Sequence, residues 1–162
     1  MRVNTVSLTL DEIFDLAKKT LLANGCDDET ASILANLIRN AERDGSLSHG
    51  LFRLPAYVSG LKSGKINGKG KPEIKKISAS VIKVQGNNCL APVVLTKGLP
   101  ELSKTAKENG VAVLAINNSH HMAAMWPETE KLAEEGLVAF ACTSYKPSVA
   151  PACAIKPLFG TN

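Results

Sequence analysis

Three histidines stand in the sequence, His49, His120 and His121, and each can exchange protons near neutral pH. His49 follows Ser46-Leu47-Ser48 at a predicted helix start and precedes Arg53 by four residues, a spacing that puts both side chains on one face of a helix. An arginine fork binds a carboxylate in bidentate fashion, and a neighbouring imidazolium can protonate the atom beside a carbon that receives hydride. The pair therefore suits a 2-oxo or 2-imino acid. The same spacing also fits a surface histidine and arginine at a helix start, and Ser48 either orients the ring or caps the helix.

His120-His121 lies in the loop Asn117-Asn118-Ser119 that follows a predicted strand and leads into a helix. Such loops are where α/β proteins place ligands, and a helix N-terminus favours an anion such as a cofactor phosphate. Adjacent histidines also raise the possibility of a metal, but no Cys, Asp or Glu stands at a ligand spacing from them. No glycine-rich dinucleotide fingerprint follows a strand: Gly68-Lys69-Gly70 runs into Lys71-Pro72 and fits a loop. A phosphate-binding P-loop is also missing. Cys26, Cys89, Cys142 and Cys153 form no Cys-x-x-Cys pair, so they read as free thiols, with Cys142 a small core residue in an apolar run.

The elements that must carry these residues begin with a helix after the capping box Thr9-Leu10-Asp11-Glu12, with Ile13, Phe14, Ala17 and Leu21 on one face and a stop at Gly25. Asp27 caps a second helix, in which Ala31, Leu34 and Ile38 share a face and the pattern ends at Asp44-Gly45. A third helical pattern runs from Ser46 to Lys62 and either begins near Pro55 or is kinked there. Gly64 to Pro72 is a loop. Ile77, Ala79, Val81 and Val84 then read as one strand before the turn Gly86-Asn87-Asn88. A helix Val93 to Asn109 weakened by Pro100, a strand Val111 to Ile116, a helix Ala123 to Glu135 and a strand Leu137 to Thr143 complete an α/β layer behind a helical region.

The charge is net +4, with Lys62, Lys65, Lys69, Lys71, Lys75, Lys76 and Lys83 gathered in one stretch. Only Tyr57 is near enough to stack, so this run reads as a solvated surface and argues against nucleic acid. No apolar stretch approaches the roughly 20 residues needed to cross a bilayer, and no secretory signal opens the chain. A cytoplasmic location is expected. The last residues, Leu158-Phe159-Gly160-Thr161-Asn162, read as a loop with no strand or helix to seal it, and a fragment of a longer chain is expected.

Asp44-Gly45-Ser46-Leu47-Ser48-His49-Gly50-Leu51-Phe52-Arg53, followed by Tyr57 and Gly64, resembles the signature of the malate/L-lactate dehydrogenase-like (sulfolactate dehydrogenase-like) oxidoreductases. Asn118-Ser119-His120-His121, Ala133-Glu134-Glu135-Gly136, Pro151 and Gly160-Thr161-Asn162 match in the same order. The resemblance spans the chain but only about the first half of the family's length. It implies a nicotinamide-binding fold unlike the Rossmann type and, at full length, a homodimer. Residues 1–72 would be the helical region with the Ser-His/Arg motif, and 73–162 the first part of an NADPH-binding α/β domain.

Within the family, His120 to Pro127 and Lys156 to Asn162 look most like the delta-1-piperideine-2-carboxylate / delta-1-pyrroline-2-carboxylate reductases. By that resemblance His49 is the proton donor, Ser48 its relay partner, Arg53 the substrate-carboxylate ligand and Thr161 a second substrate contact. His121, Met122, Ala123, Ala124 and Met125 would line NADPH, with NADH as the alternative. The products implied are L-pipecolate or L-proline. Pro151-Ala152-Cys153-Ala154 and Tyr145 depart from the family pattern and bear on substrate preference. Competing readings are a malate- or lactate-type 2-oxo acid reductase, a truncated non-catalytic chain, and a helical interaction module built on the first two helices.

Overall fold

The computed structural model describes residues 6–120, 123–144 and 146–160. The chain divides into two compact units, Met1–Ala124 and Met125–Asn162. Among the described residues no helix is long and apolar enough to cross a membrane.

The first unit opens with two helices set by local chemistry. In α1 (Leu10–Ala23) Thr9 accepts from the Glu12 N–H while the Glu12 carboxylate accepts from the Thr9 N–H, a complete capping box. In α2 (Asp28–Arg43) the Asp27 carboxylate accepts from the Thr30 N–H at 2.9 Å. Their apolar stripes face one another. Ile13, Ala17 and Leu21 pack with Ala31, Leu34, Ala35 and Ile38, and Leu54, Tyr57, Ile66 and Leu90 complete this core.

Of the two alternatives for the segment after α2, a helix that begins near Pro55 is the one found. Leu47–His49 and Leu51–Arg53 are two short 3₁₀ turns interrupted at Gly50, and α3 (Leu54–Lys62) starts with Pro55 in its first turn. Proline has no N–H to donate and a φ suited to a helix start, so the helix begins there.

A sheet in the order β1-β2-β3 follows, with β1 (Glu73–Lys76) antiparallel to β2 (Val81–Gln85) and β2 parallel to β3 (Val113–Asn117). The single strand expected over Ile77 to Val84 is thus a hairpin. The Ile77 N–H turns back onto the Val81 carbonyl at 2.8 Å, which reverses the chain through Ser78-Ala79-Ser80. Between β2 and β3 runs α4 (Ala91–Asn109), closed by Gly110 at φ +79. Ile82, Val84, Val93 and Val94 form a second core against Leu114, Ile116 and the α2 residue Ile33. Gly98 lets α4 approach the sheet, because a Cβ there would stand 2.9 Å from Leu114 Cδ2. Pro100 lies on the exposed face, where water can satisfy the Thr96 carbonyl that it leaves without a donor.

The second unit contains α5 (Trp126–Glu134), which starts three residues later than its pattern predicts, with Pro127 in the first turn. Residues 137–144 alternate between half-buried and exposed but form no strand, and no described residue pairs with them. The alternation of a strand is present without a ladder to join. Cys142, expected in the core, is accordingly exposed. An isolated antiparallel bridge, Val149 to Phe159, closes the last loop.

Candidate active site

The residues from Asp44 to Arg53 hang from the end of α2. The Ser46 N–H donates to the Ala41 carbonyl at 2.8 Å, and Gly45 at φ +72 turns the chain out of the helix. Within the first 3₁₀ turn, His49 Nδ1 lies 3.0 Å from Ser48 Oγ and 3.3 Å from Ser46 Oγ. Two hydroxyls therefore flank one ring nitrogen. A hydroxyl that accepts from Nδ1–H fixes the ring's orientation and holds the proton at Nδ1 whenever the imidazole is neutral.

Arg53 ends the second turn, and its Nε donates to the Ser48 carbonyl at 2.7 Å. The two side chains are thus not joined by a shared helical face, as the spacing predicts. They are joined through the Ser48-His49 peptide, whose carbonyl holds the guanidinium while the neighbouring hydroxyl holds the ring. With Nε so committed, a carboxylate would be met by the two Nη nitrogens. Below them Tyr57 is fully buried, and that burial pushes its phenol up to about 12 against the opposing pull of Arg53.

His120 takes a different part. It follows β3 at the carboxyl end of the parallel pair, and its Nε2 donates to the Lys65 carbonyl at 2.8 Å. A carbonyl can only accept, so Nε2 carries the proton. The His120 backbone bridges Leu90 in parallel fashion, its N–H donating to Cys89 and its carbonyl accepting from Ala91. This histidine ties the sheet to the loop after α3.

Of the residues expected to line the cofactor, Ala123 is half-buried, Ala124 is buried at the end of the first unit, and Met125 begins the second. His121, Met122 and Thr161 lie outside the described residues. The turn at Gly86 to Cys89 is no cradle for a pyrophosphate. The N–H groups of Gly86 and Asn88 donate to the Asn117 and Asn118 carbonyls, and that of Cys89 to Gly86.

Two site residues escaped the sequence reading. Ser46 looked like the head of a helix, and its contact with His49 arises only because the chain forms a tight 3₁₀ turn. Glu42 belongs to α2, yet its Oε1 accepts from the Leu51 N–H at 2.7 Å. Nothing in the local sequence signals that contact.

The sequence model described as "Malate/L-lactate dehydrogenase" matches residues 8–162. The chain belongs to the malate/L-lactate dehydrogenase family. It is 40% identical over 158 residues to the Delta(1)-pyrroline-2-carboxylate/Delta(1)-piperideine-2-carboxylate reductase of Pseudomonas syringae pv. tomato, covering 98% of this chain and 46% of that protein. A reductase of the same name from Pseudomonas putida is 41% identical over 157 residues, with 97% and 46% covered. The crystal structure of delta1-piperideine-2-carboxylate reductase from Pseudomonas syringae superposes with a TM-score of 0.81 at 36% identity, over 96% of this chain and 47% of the other. Sulfolactate dehydrogenase from Methanocaldococcus jannaschii gives 0.71 at 32% identity, over 76% and 36%. The α/β fold is therefore of the sulfolactate dehydrogenase-like type expected from the signature. This chain spans about half the length of the relatives it matches.

Proposed function

We propose that this chain carries the proton-donating half of an NADPH-dependent reductase of small cyclic 2-carboxylated imines, with L-pipecolate or L-proline as product. The observation that carries the reading is the joint hold on the Ser48-His49 peptide: the Ser48 hydroxyl beside His49 Nδ1 and its carbonyl under Arg53 Nε. Arg53 would take the substrate carboxylate on its Nη nitrogens, with Thr161 as a second contact. When bound, a reduced nicotinamide supplies the hydride received by the imine carbon. His49 supplies the proton for the imine nitrogen from Nε2, and the Ser48 hydroxyl holds Nδ1–H as the ring becomes neutral. One C–H and one N–H bond form as the C=N double bond is reduced.

His121 through Met125 would line the cofactor. NADPH is the cofactor proposed over NADH, the full-length assembly a homodimer, and the location cytoplasmic. In this reading residues 1–72 present the proton donor and the carboxylate ligand, while 73–162 begin the cofactor domain. The names of the 40% and 41% identical relatives favour an imine over an oxo acid.

The test compares NADPH consumption with delta-1-piperideine-2-carboxylate, pyruvate and oxaloacetate. A higher kcat/KM on the imine is expected. Preference for either oxo acid would replace the imine reading with the 2-oxo acid reductase.

A further inference from the structure

We propose that Glu42 is the positioning residue of this site, holding the Gly50 hinge so that His49 and Arg53 keep a common orientation. This assignment rests on the reading of those two residues as proton donor and carboxylate ligand.

The segment that carries them is anchored to α2 at two points. Near its start, the Ser46 N–H reaches the Ala41 carbonyl. At its middle, the Leu51 N–H donates to Glu42 Oε1 at 2.7 Å. The second contact has a specific task. Leu51 is the first residue of the second 3₁₀ turn, and the residue before it, Gly50, has no side chain to cap that turn. Glu42 supplies the missing acceptor from another element, and a carboxylate is the stronger acceptor for a backbone N–H.

Gly50 makes the approach possible. A Cβ there would overlap the Glu42 carboxylate, standing 2.5 Å from Cδ and 2.8 Å from Cγ. Gly50 also hinges the site, since its own N–H goes back to the Leu47 carbonyl and its carbonyl accepts from the Arg53 N–H. His49 lies one residue before this hinge and Arg53 three after it. Rotation at Gly50 would pull Arg53 Nε away from the Ser48 carbonyl, to which it donates at 2.7 Å. Glu42 springs from the last turn of α2, next to the buried Ala41 and one turn beyond the buried Ile38, so the clamp is grounded in the helical core.

The experiment reads the 162-residue chain by NMR in four forms: wild type, Glu42→Gln, Glu42→Ala and Gly50→Ala. Gln keeps an acceptor oxygen of similar reach, Ala removes it, and Gly50→Ala forces the clamp apart without altering Glu42. The proposal expects the Leu51 amide of Glu42→Ala to exchange roughly ten- to a hundredfold faster than wild type, while core amides such as Leu34 do not change. The Arg53 Nε–H and His49 Cε1–H signals should move in Glu42→Ala and Gly50→Ala and return near wild type in Glu42→Gln. Wild-type exchange at Leu51 in Glu42→Ala, or unmoved His49 and Arg53 signals, would overturn it. Uniformly faster exchange across both variants would also overturn it, since Glu42 would then serve general stability. Failure of the imine assay with these signals behaving as expected would remove the proposed reaction and leave the clamp intact.

Discussion

Replacing Asp27 should separate two forces that hold the amino end of α2, the helix whose other end carries the site. One carboxylate oxygen accepts from the Thr30 N–H at 2.9 Å, and the other faces Lys71 Nζ at 3.1 Å. Losing a side-chain cap costs about 1 kcal/mol. The charge adds ~0.5–1 kcal/mol through the helix dipole and the largely exposed pair with Lys71. Asp27→Ala should therefore cost about 1.5–2 kcal/mol, and Asp27→Asn, which keeps the cap, only ~0.5–1 kcal/mol. Urea unfolding followed by circular dichroism measures both.

The pH dependence has a definite sign. Burial works to raise the Asp27 pKa, but the hydrogen bonds from Thr30 and the Lys71 ammonium outweigh it and hold the carboxyl below its usual range. The charge-dependent stabilisation is thus fully present above about pH 4, the ordinary aspartate value, and fades as pH falls through the lower folded value. Wild type and Asp27→Asn should differ at pH 7, less so in high salt, and converge in acid. An Asp27→Asn loss at pH 7 as large as that of Asp27→Ala, or one that persists at low pH, would refute the division between cap and charge.

Thiol labelling should find Cys142 and Cys153 fast and Cys26 and Cys89 slow, since only the first two are exposed. Burial, aided by Asp27, pushes the Cys26 thiol up to about 11, which leaves roughly one thiolate in a thousand at pH 8. Fast labelling of Cys26 in the folded chain would contradict the first core. Leu34→Ala, at a fully buried position between α1 and α2, should cost ~2–5 kcal/mol in the same urea assay. A loss below about 1 kcal/mol would mean that the helix pair is not packed there.

What could be read from the sequence was mostly local. Thr9 with Glu12 and Asp27 with Thr30 are contacts three residues apart, so both helix starts were legible from side-chain chemistry alone. Ser48-His49 and Arg53 were legible as a unit because their types and spacing are themselves the signal. The path between them was not, since Gly50 splits the helical pattern and a contact from Glu42 holds the break. β1 was invisible for another reason: all four residues are exposed, so no alternation of apolar and polar marks it, and two are lysines suited to an edge. Leu137 to Thr143 failed in the opposite sense, carrying strand-like alternation without a pairing partner among the described residues. The hydrogen bond from His120 to the carbonyl of Lys65, 55 residues earlier, was not legible either, since no local pattern signals a contact so distant in sequence.

The central claim is that His49 gives the proton and Arg53 holds the carboxylate. It is tested most directly by steady-state reduction of delta-1-piperideine-2-carboxylate by wild type, His49→Ala and Arg53→Ala. His49→Ala should lower kcat by roughly 10²–10⁴-fold with a small change in KM. Arg53→Ala should mainly raise KM, by about ten- to a hundredfold, as a charge-assisted bidentate contact is lost. Wild-type kinetics in both variants would contradict the assignment of the site.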